Sequence, residues 1–329
     1  MTQANPRRQI IPGSEQPGGE STLTVLIAFG ANFLIAVAKT FAAMLTASAS
    51  LAAEAAHSWA DTGNEVFLLI AGRRSRRPAD EAHPLGYGRE SYVWSMFAAM
   101  GLFVAGAVLS ISEGVSGLLN PEEATDFVVG YIVLVVALVF EGVSLVQSLR
   151  QARGEARELS RDVIDHVLIT SDPTLRAVVF EDSAAITGVV IAAAALGIHE
   201  WTGSSVPDAV GSILIGLLLG VVAVVLINRN RRFLIGEMAE PSIRAAVLTQ
   251  LQADPDVDRV TYLRLDFVGP RMLFVIGDVD LAGDAIEHDV AERLRAVEDR
   301  LRESPAVVDA VLSLSAADEP SLPPPEQDR

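Results

Sequence analysis

The chain has 329 residues, half of them hydrophobic but only 6% aromatic, and carries 42 acidic against 25 basic side chains for a net charge of −17. With no cysteine, disulfides and thiolate metal ligands are excluded, and so is a carrier for monovalent copper, which prefers sulfur. No nucleic-acid partner is expected of so acidic a chain. Soluble domains can also be half hydrophobic, so what decides the class is segregation. The apolar residues fall into runs of about 20 or more, long enough to cross roughly 30 Å of hydrocarbon.

Residues 1–20 are polar, with Pro6, Pro12 and Gly18-Gly19, and are expected to form a disordered tail. Six spans follow, over 22–47, 50–71, 91–118, 126–149, 176–199 and 208–227. Ala47-Ser48-Ala49 has the look of a signal-peptidase site, but the apolar run before it is too long for a signal core and contains Lys39, the only lysine. It reads as a retained first span. Arginine sets the orientation. Arg7 and Arg8 precede the first span, Arg73, Arg74, Arg76, Arg77 and Arg89 join the second to the third, Arg150, Arg153, Arg157 and Arg161 join the fourth to the fifth, and Arg229, Arg231 and Arg232 follow the sixth. The alternate connections carry none, so both termini are expected in the cytoplasm. No acidic-poor, arginine-rich leader precedes the first span, so the expected host is a bacterial cytoplasmic membrane.

From Glu240 the chain changes character, with 19 acidic residues against 9 arginines. A helix over Pro241–Ala253, strands over Val257–Phe267 and Met272–Leu281 joined by a turn at Val268–Arg271, a helix over Asp284–Arg302 and a strand over Val307–Leu314 are expected. That order, αββαβ, suggests a small ferredoxin-like sheet. The expected architecture is thus an all-α six-helix transmembrane bundle (21–235), a cytoplasmic α+β domain (240–316) and a disordered tail (317–329). So small a domain would gain stability from a partner.

An ionisable group at mid-span costs about 2.5–3.5 kcal/mol, so each needs a reason. The second span carries Glu54, His57, Asp61 and Glu65, spaced 3, 4 and 4, which sets all four on one helical face. The fifth span opens with Glu181-Asp182, the third has Glu113, the fourth Glu141, and the first Asn32 and Lys39. Lys39 has a structural role open to it, as ion-pair partner of Glu54 or Glu141. One cation cannot serve so many carboxylates, and imidazole with carboxylates between helices suits a borderline divalent cation such as zinc. No HExxH sequence is present, so an intramembrane metalloenzyme is set aside and the chain is not expected to be an enzyme. No cofactor is expected either, the metal being cargo. His288, among Asp284, Glu287 and Asp289, reads as part of a solvated acidic face, and His166 and His199 as interfacial.

Ala53-Glu54-Ala55-Ala56-His57-Ser58-Trp59-Ala60-Asp61-Thr62 resembles the second-span signature of the cation diffusion facilitator (zinc transporter) family, and His83-Pro84-Leu85-Gly86-Tyr87-Gly88-Arg89-Glu90 its motif entering the third span. Glu181-Asp182-Ser183 and Asp208-Ala209-Val210-Gly211-Ser212 resemble its fifth-span site and sixth-span start. Within the family, the similarity is to the subgroup that includes the mitochondrial zinc transporter nine and bacterial relatives. The resemblance implies a homodimeric, alternating-access metal–proton antiporter exporting zinc, with manganese, iron, cobalt or cadmium as other candidate cargo. It implies metal ligands at His57 and Asp61 from the second span and Asp182 from the fifth, with Glu181 auxiliary, and a second, weaker metal site at Asp80 and His83, for which a plain loop-packing role of His83 is the open alternative. The family's fourth ligand would fall at Val178, which cannot bind metal. Water or Glu141 is left to complete the shell. That departure is also a step toward the rival expectation, a non-transporting membrane scaffold or regulator with a degenerate site.

Overall fold

A computed structural model describes residues 22–121, 126–159 and 161–323, with side chains from residue 29 onward. The tail expected over 1–20, part of the Pro-Glu-Glu connection and residues 324–329 lie outside the described residues. The chain divides into two compact units, one of residues 19–74 and 90–231 and one containing 75–89 and 232–329.

The first unit is helical. Its elements are α1 (Thr22–Thr46), α2 (Ala49–Ser75), α3 (Glu90–Leu119), α4 (Phe127–Glu158), a short α5 (Val163–Ile169), α6 (Pro173–Thr202) and α7 (Val206–Ile235), the last running on past residue 231. Five of the six long helices are apolar enough to cross a membrane. The remaining one, α2, is 27 residues long and falls short only because its polar face interrupts the apolar run. Polar caps set the breaks between helices. Asp172 accepts from the amides of Thr174 (2.9 Å) and Leu175 (3.2 Å) with Pro173 at the first helical position, and Gly203 closes α6 at φ +68°. The helix α5, which has no apolar run to announce it, is capped by Asp162 through the amide of Ile164.

Two devices fix α2. The first is a cap borrowed from another helix. The turn from α1 to α2 is two residues long, with Ala47 at φ +51°, and the free amides at the start of α2 point at the buried carboxylate of Asp208 on α7. Asp208 accepts from Ser48 Oγ (2.8 Å), Ala49 N (2.5 Å) and the hydroxyl of Ser50. A carboxylate there satisfies donors that the helix itself cannot and meets the positive end of the helix dipole. The second device is a buried ion pair. Lys39 Nζ on α1 lies 2.9 Å from Glu54 Oε2 on α2, with both side chains fully buried. The other oxygen of Glu54 leans on α6 at Gly188, where a Cβ would come within 2.2 Å of it. A side chain at 188 would therefore force the Glu54 carboxylate to shift.

Small residues also let α3 and α7 approach closely. A Cβ on Gly114 would meet Ala209 O at 2.6 Å, and one on Gly216 would meet Ala107 O at 2.9 Å. Ala107 itself lies in a π-helical segment of α3, Leu102–Val108. Elsewhere Arg176, at the start of α6 and fully buried, donates to Asn230 on α7 (3.2 Å) and to Thr170 O. By contrast α4 is the least buried span and turns Val128, Ile132, Val135, Val139 and Val143 outward.

The second unit contains α8 (Pro241–Gln252), β1 (Val257–Gly269), β2 (Met272–Leu281), α9 (Glu287–Arg302) and β3 (Val307–Leu314), the αββαβ order expected. The sheet order is β1-β2-β3, with β1 antiparallel and β3 parallel to β2. The hairpin turns at Pro270-Arg271, pairing Gly269 with Met272. Alternate residues of β2 (Leu273, Val275, Gly277, Val279, Leu281) are buried with Ile243, Val247 and Leu251 of α8 and Val297 and Leu301 of α9. The guanidinium of Arg300, with that of Arg293, holds the Asp256 carboxyl below its ordinary range. Beyond β3 the polar segment runs along β1. Leu322 N donates to Val260 O (2.7 Å), and Arg259 donates to the carbonyls of Glu319 (2.6 Å) and Ala316 (3.1 Å) while pairing with Asp280 (2.8 Å).

Two substitutions test how α2 is held. Asp208→Ala removes the borrowed cap and leaves buried donors unpaired, at a cost of about 1–3 kcal/mol. Thermal unfolding in detergent should therefore fall, with Asp208→Asn, which keeps an acceptor, in between. Gly188→Ala should cost about 1–3 kcal/mol through overpacking against Glu54. An unchanged unfolding midpoint would mean that α6 can retreat from α2 freely.

Candidate metal site on the second and sixth helices

The polar face of α2 is laced to its neighbours at both ends and open in the middle. Toward its start, Glu54 takes Lys39 of α1, the pairing formed of the two the sequence left open. Toward its end, Glu65 accepts from Asn32, also of α1, and Asn64 donates through Nδ2 to both carboxylate oxygens of Glu181 on α6. Contacts from 54 to 188 and from 64 to 181 run antiparallel along α2 and α6. They bring Asp61 to the level of Asp182 and its neighbours.

Between these rungs lie His57 and Asp61. Fully buried, His57 has its Nε2 3.5 Å from Asp61 Oδ2, too far for a good hydrogen bond. Neither ring nitrogen has a hydrogen-bond partner, nor do Asp61 Oδ1 and the hydroxyl of Ser58. Buried polar atoms are almost always satisfied, so four open ones within residues 57–61 mark a place suited to a further partner. An imidazole and a carboxylate one turn apart are what a divalent cation takes from a helix.

Not all the expected ligands are gathered. Among the described residues no group of three or more His, Asp or Glu side chains is close enough to hold a metal ion. His57 and Asp61 meet, whereas the two α6 carboxylates are turned apart. Glu181 faces α2 through Asn64, and Asp182 accepts from Ser144 Oγ of α4 at 2.8 Å. Adjacent positions differ by about 100° around a helix, which explains the divergence. Glu141, one turn before Ser144 on α4, acts electrostatically on Lys39, Asp61 and Asp182. Val178 is only partly buried and offers no donor atom, while Glu113 is exposed and has no part in the cluster.

Two polar residues beside the expected ligands escaped the sequence reading. Asn64 was findable, being three residues beyond Asp61 on the same face of a span. Ser144 carried no signal, because a lone serine in a membrane helix is ordinary.

The other candidates lie elsewhere. Asp80 accepts from Ala82 N (3.0 Å), His83 N (2.8 Å) and Tyr87 Oη (2.7 Å), with His83 Nδ1 at 3.4 Å. The Tyr87 hydroxyl first, then the His83 amide, hold this carboxyl below its ordinary range. His83 stacks on Tyr87 at 4.2 Å, so this pair ties a loop. His166 meets Glu155 (3.2 Å), His199 abuts Phe127, and His288 is exposed beside Glu292.

Comparison with known proteins agrees with this architecture. Residues 25–235 match the cation efflux transmembrane domain. The chain is 33% identical to metal tolerance protein C4 of Arabidopsis thaliana over 83% of its own length and 60% of that protein's. It is 32% identical to the mitochondrial proton-coupled zinc antiporter SLC30A9 of Homo sapiens over 82% of its length and 47% of that protein's. With the cation-efflux pump FieF of Escherichia coli it shares 34% identity over 32% of its length and 35% of that protein's. It therefore spans about half the length of the plant and human relatives. Since the family match covers most of the chain and both membrane helices that bear the polar cluster, the protein belongs to the cation efflux family, that of the cation diffusion facilitators.

Proposed function

We propose that this protein carries a divalent metal cation, zinc first among them, out of the cytoplasm in exchange for protons. The observation that carries this reading is the pair of a fully buried His57 and a partly buried Asp61, set in a helical bundle with ligand atoms that no protein group satisfies. The names of the relatives, a proton-coupled zinc antiporter and a cation-efflux pump among them, support the cargo and the exchange.

The chemistry follows from the residues. A neutral His57 nitrogen and an ionised Asp61 begin the shell, and a carboxylate of α6 joins when it leaves its present hydrogen bond. Metal and protons compete for the same lone pairs, so loading the site releases protons and reloading it with protons expels the metal. Access from one side of the membrane at a time turns that competition into exchange. The basic connections between spans favour cytoplasmic termini, and the name of one relative, a cation-efflux pump, supports export as the direction of metal movement. The second unit, small and built on one sheet, is proposed to pair across a twofold axis.

Purified protein in proteoliposomes is expected to take up zinc when an outward-directed proton gradient is imposed, with protons leaving as zinc enters. His57→Ala and Asp61→Ala should each lose transport at least about tenfold while still eluting as folded protein, since each removes one of few ligands. Wild-type flux in either variant would remove that residue from the site. Absence of flux in the wild type would favour a scaffold over a carrier, and flux without proton movement would overturn the exchange. Native mass measurement in detergent should give twice the chain mass, and a monomer at working concentration would refute the twofold pairing.

A further inference from the structure

Asn64 stands apart from the groups that the proposed transport site uses. It is a neutral amide, 2% exposed, on a helix whose polar face is otherwise made of ionisable and hydroxylic side chains. It lies three residues beyond Asp61 and seven beyond His57, hence on the same face of α2. Its Nδ2 is directed at both oxygens of Glu181, the arrangement required because its carbonyl oxygen would repel a carboxylate. Its Oδ1 is buried and without a hydrogen-bond partner. Glu181 is itself 8% exposed.

We propose that Asn64 is a specificity-determining residue, a latch that withholds the Glu181 carboxylate from the metal and so tunes the site toward cations that need few oxygen ligands. This rests on the reading of His57 and Asp61 as the transport site. An arriving cation finds one nitrogen and one carboxylate free, and gains Glu181 only by displacing its hydrogen bonds to Asn64. Zinc accepts four ligands and welcomes nitrogen, whereas manganese and magnesium prefer six ligands, mostly oxygen. Withholding a carboxylate therefore disfavours the harder ions more.

Asn64 acts on the metal through Glu181, so its role is positioning, and selectivity is the readout that distinguishes it from a purely structural one. Zinc and manganese affinities are measured separately on the purified full-length protein, with each metal alone against a chromophoric chelator. Asn64→Asp replaces the latch by a second carboxylate and should move the zinc-to-manganese affinity ratio toward manganese about tenfold, the scale of one hydrogen bond to a charged group. Asn64→Ala, which frees Glu181 without adding an oxygen, should move it the same way by less. Competition from protons acts on both metals and largely cancels in the ratio. Should Asn64→Asp not fold, Asn64→Ala decides alone. An unmoved ratio in the folded variants, with zinc binding lost in His57→Ala, would overturn the latch and keep the transport site. Loss of zinc binding in Asn64→Ala as complete as in His57→Ala would make Asn64 a ligand instead. Unchanged zinc binding in His57→Ala would refute the site itself, and the latch with it.

Discussion

The organisation of this bundle follows from the high cost of leaving an ionisable side chain unpaired in hydrocarbon. One helix, α2, carries four such groups on a single face, and most of the polar contacts around it answer that fact. Lys39 neutralises Glu54, Asn32 takes Glu65, and the two rungs bind α1 to α2 on either side of His57 and Asp61. Glycine at 188 makes room for the Glu54 carboxylate, and the amide of Asn64 attends to Glu181. In the middle of the face lie His57 and Asp61, the pair proposed to bind metal. The pairing that makes α2 tolerable in a membrane thus also keeps His57 and Asp61 from finding protein partners of their own.

Much of this was legible in the sequence because the bilayer makes apolar run length and charge placement informative. The six long helices, the αββαβ order and the 3, 4, 4 spacing on α2 needed only run length and periodicity. The bounds of β2 and β3 agree with the alternation of apolar residues that announced them. What could not be read is rotation about the helix axes. Glu181 and Asp182 are neighbours in the chain, and only the packed bundle decides that one meets α2 and the other α4. Nor could a linear pattern reveal that Asp208 of α7 caps α2, since their separation in sequence is 158 to 160 residues. The short α5 was missed for a different reason: about two turns with a local cap is too short for periodicity to show.

The divergence of the two α6 carboxylates bears on how a carrier could work. His57 and Asp61 share a rigid helix, so their mutual geometry is set by α2 alone. The proposed third ligand is a carboxylate of α6, where both already have partners of modest strength, an amide for Glu181 and a hydroxyl for Asp182. Neither partner carries charge, and both can be given up without stranding a buried cation. A site so built assembles around its cargo, whereas the Lys39–Glu54 pair, fully desolvated and charged on both sides, is the part least able to change.

That permanence has a chemical corollary. Lys39 is the sole lysine in 329 residues, and its amine is closed off from solvent between α1 and α2. While the ion pair holds, an amine-directed reagent finds no lysine side chain to attack, for want of access and of a free lone pair alike. Acylation at residue 39 therefore counts the time that α1 and α2 spend apart. The protein carries its own single-site reporter of bundle opening, readable without engineering a label into it.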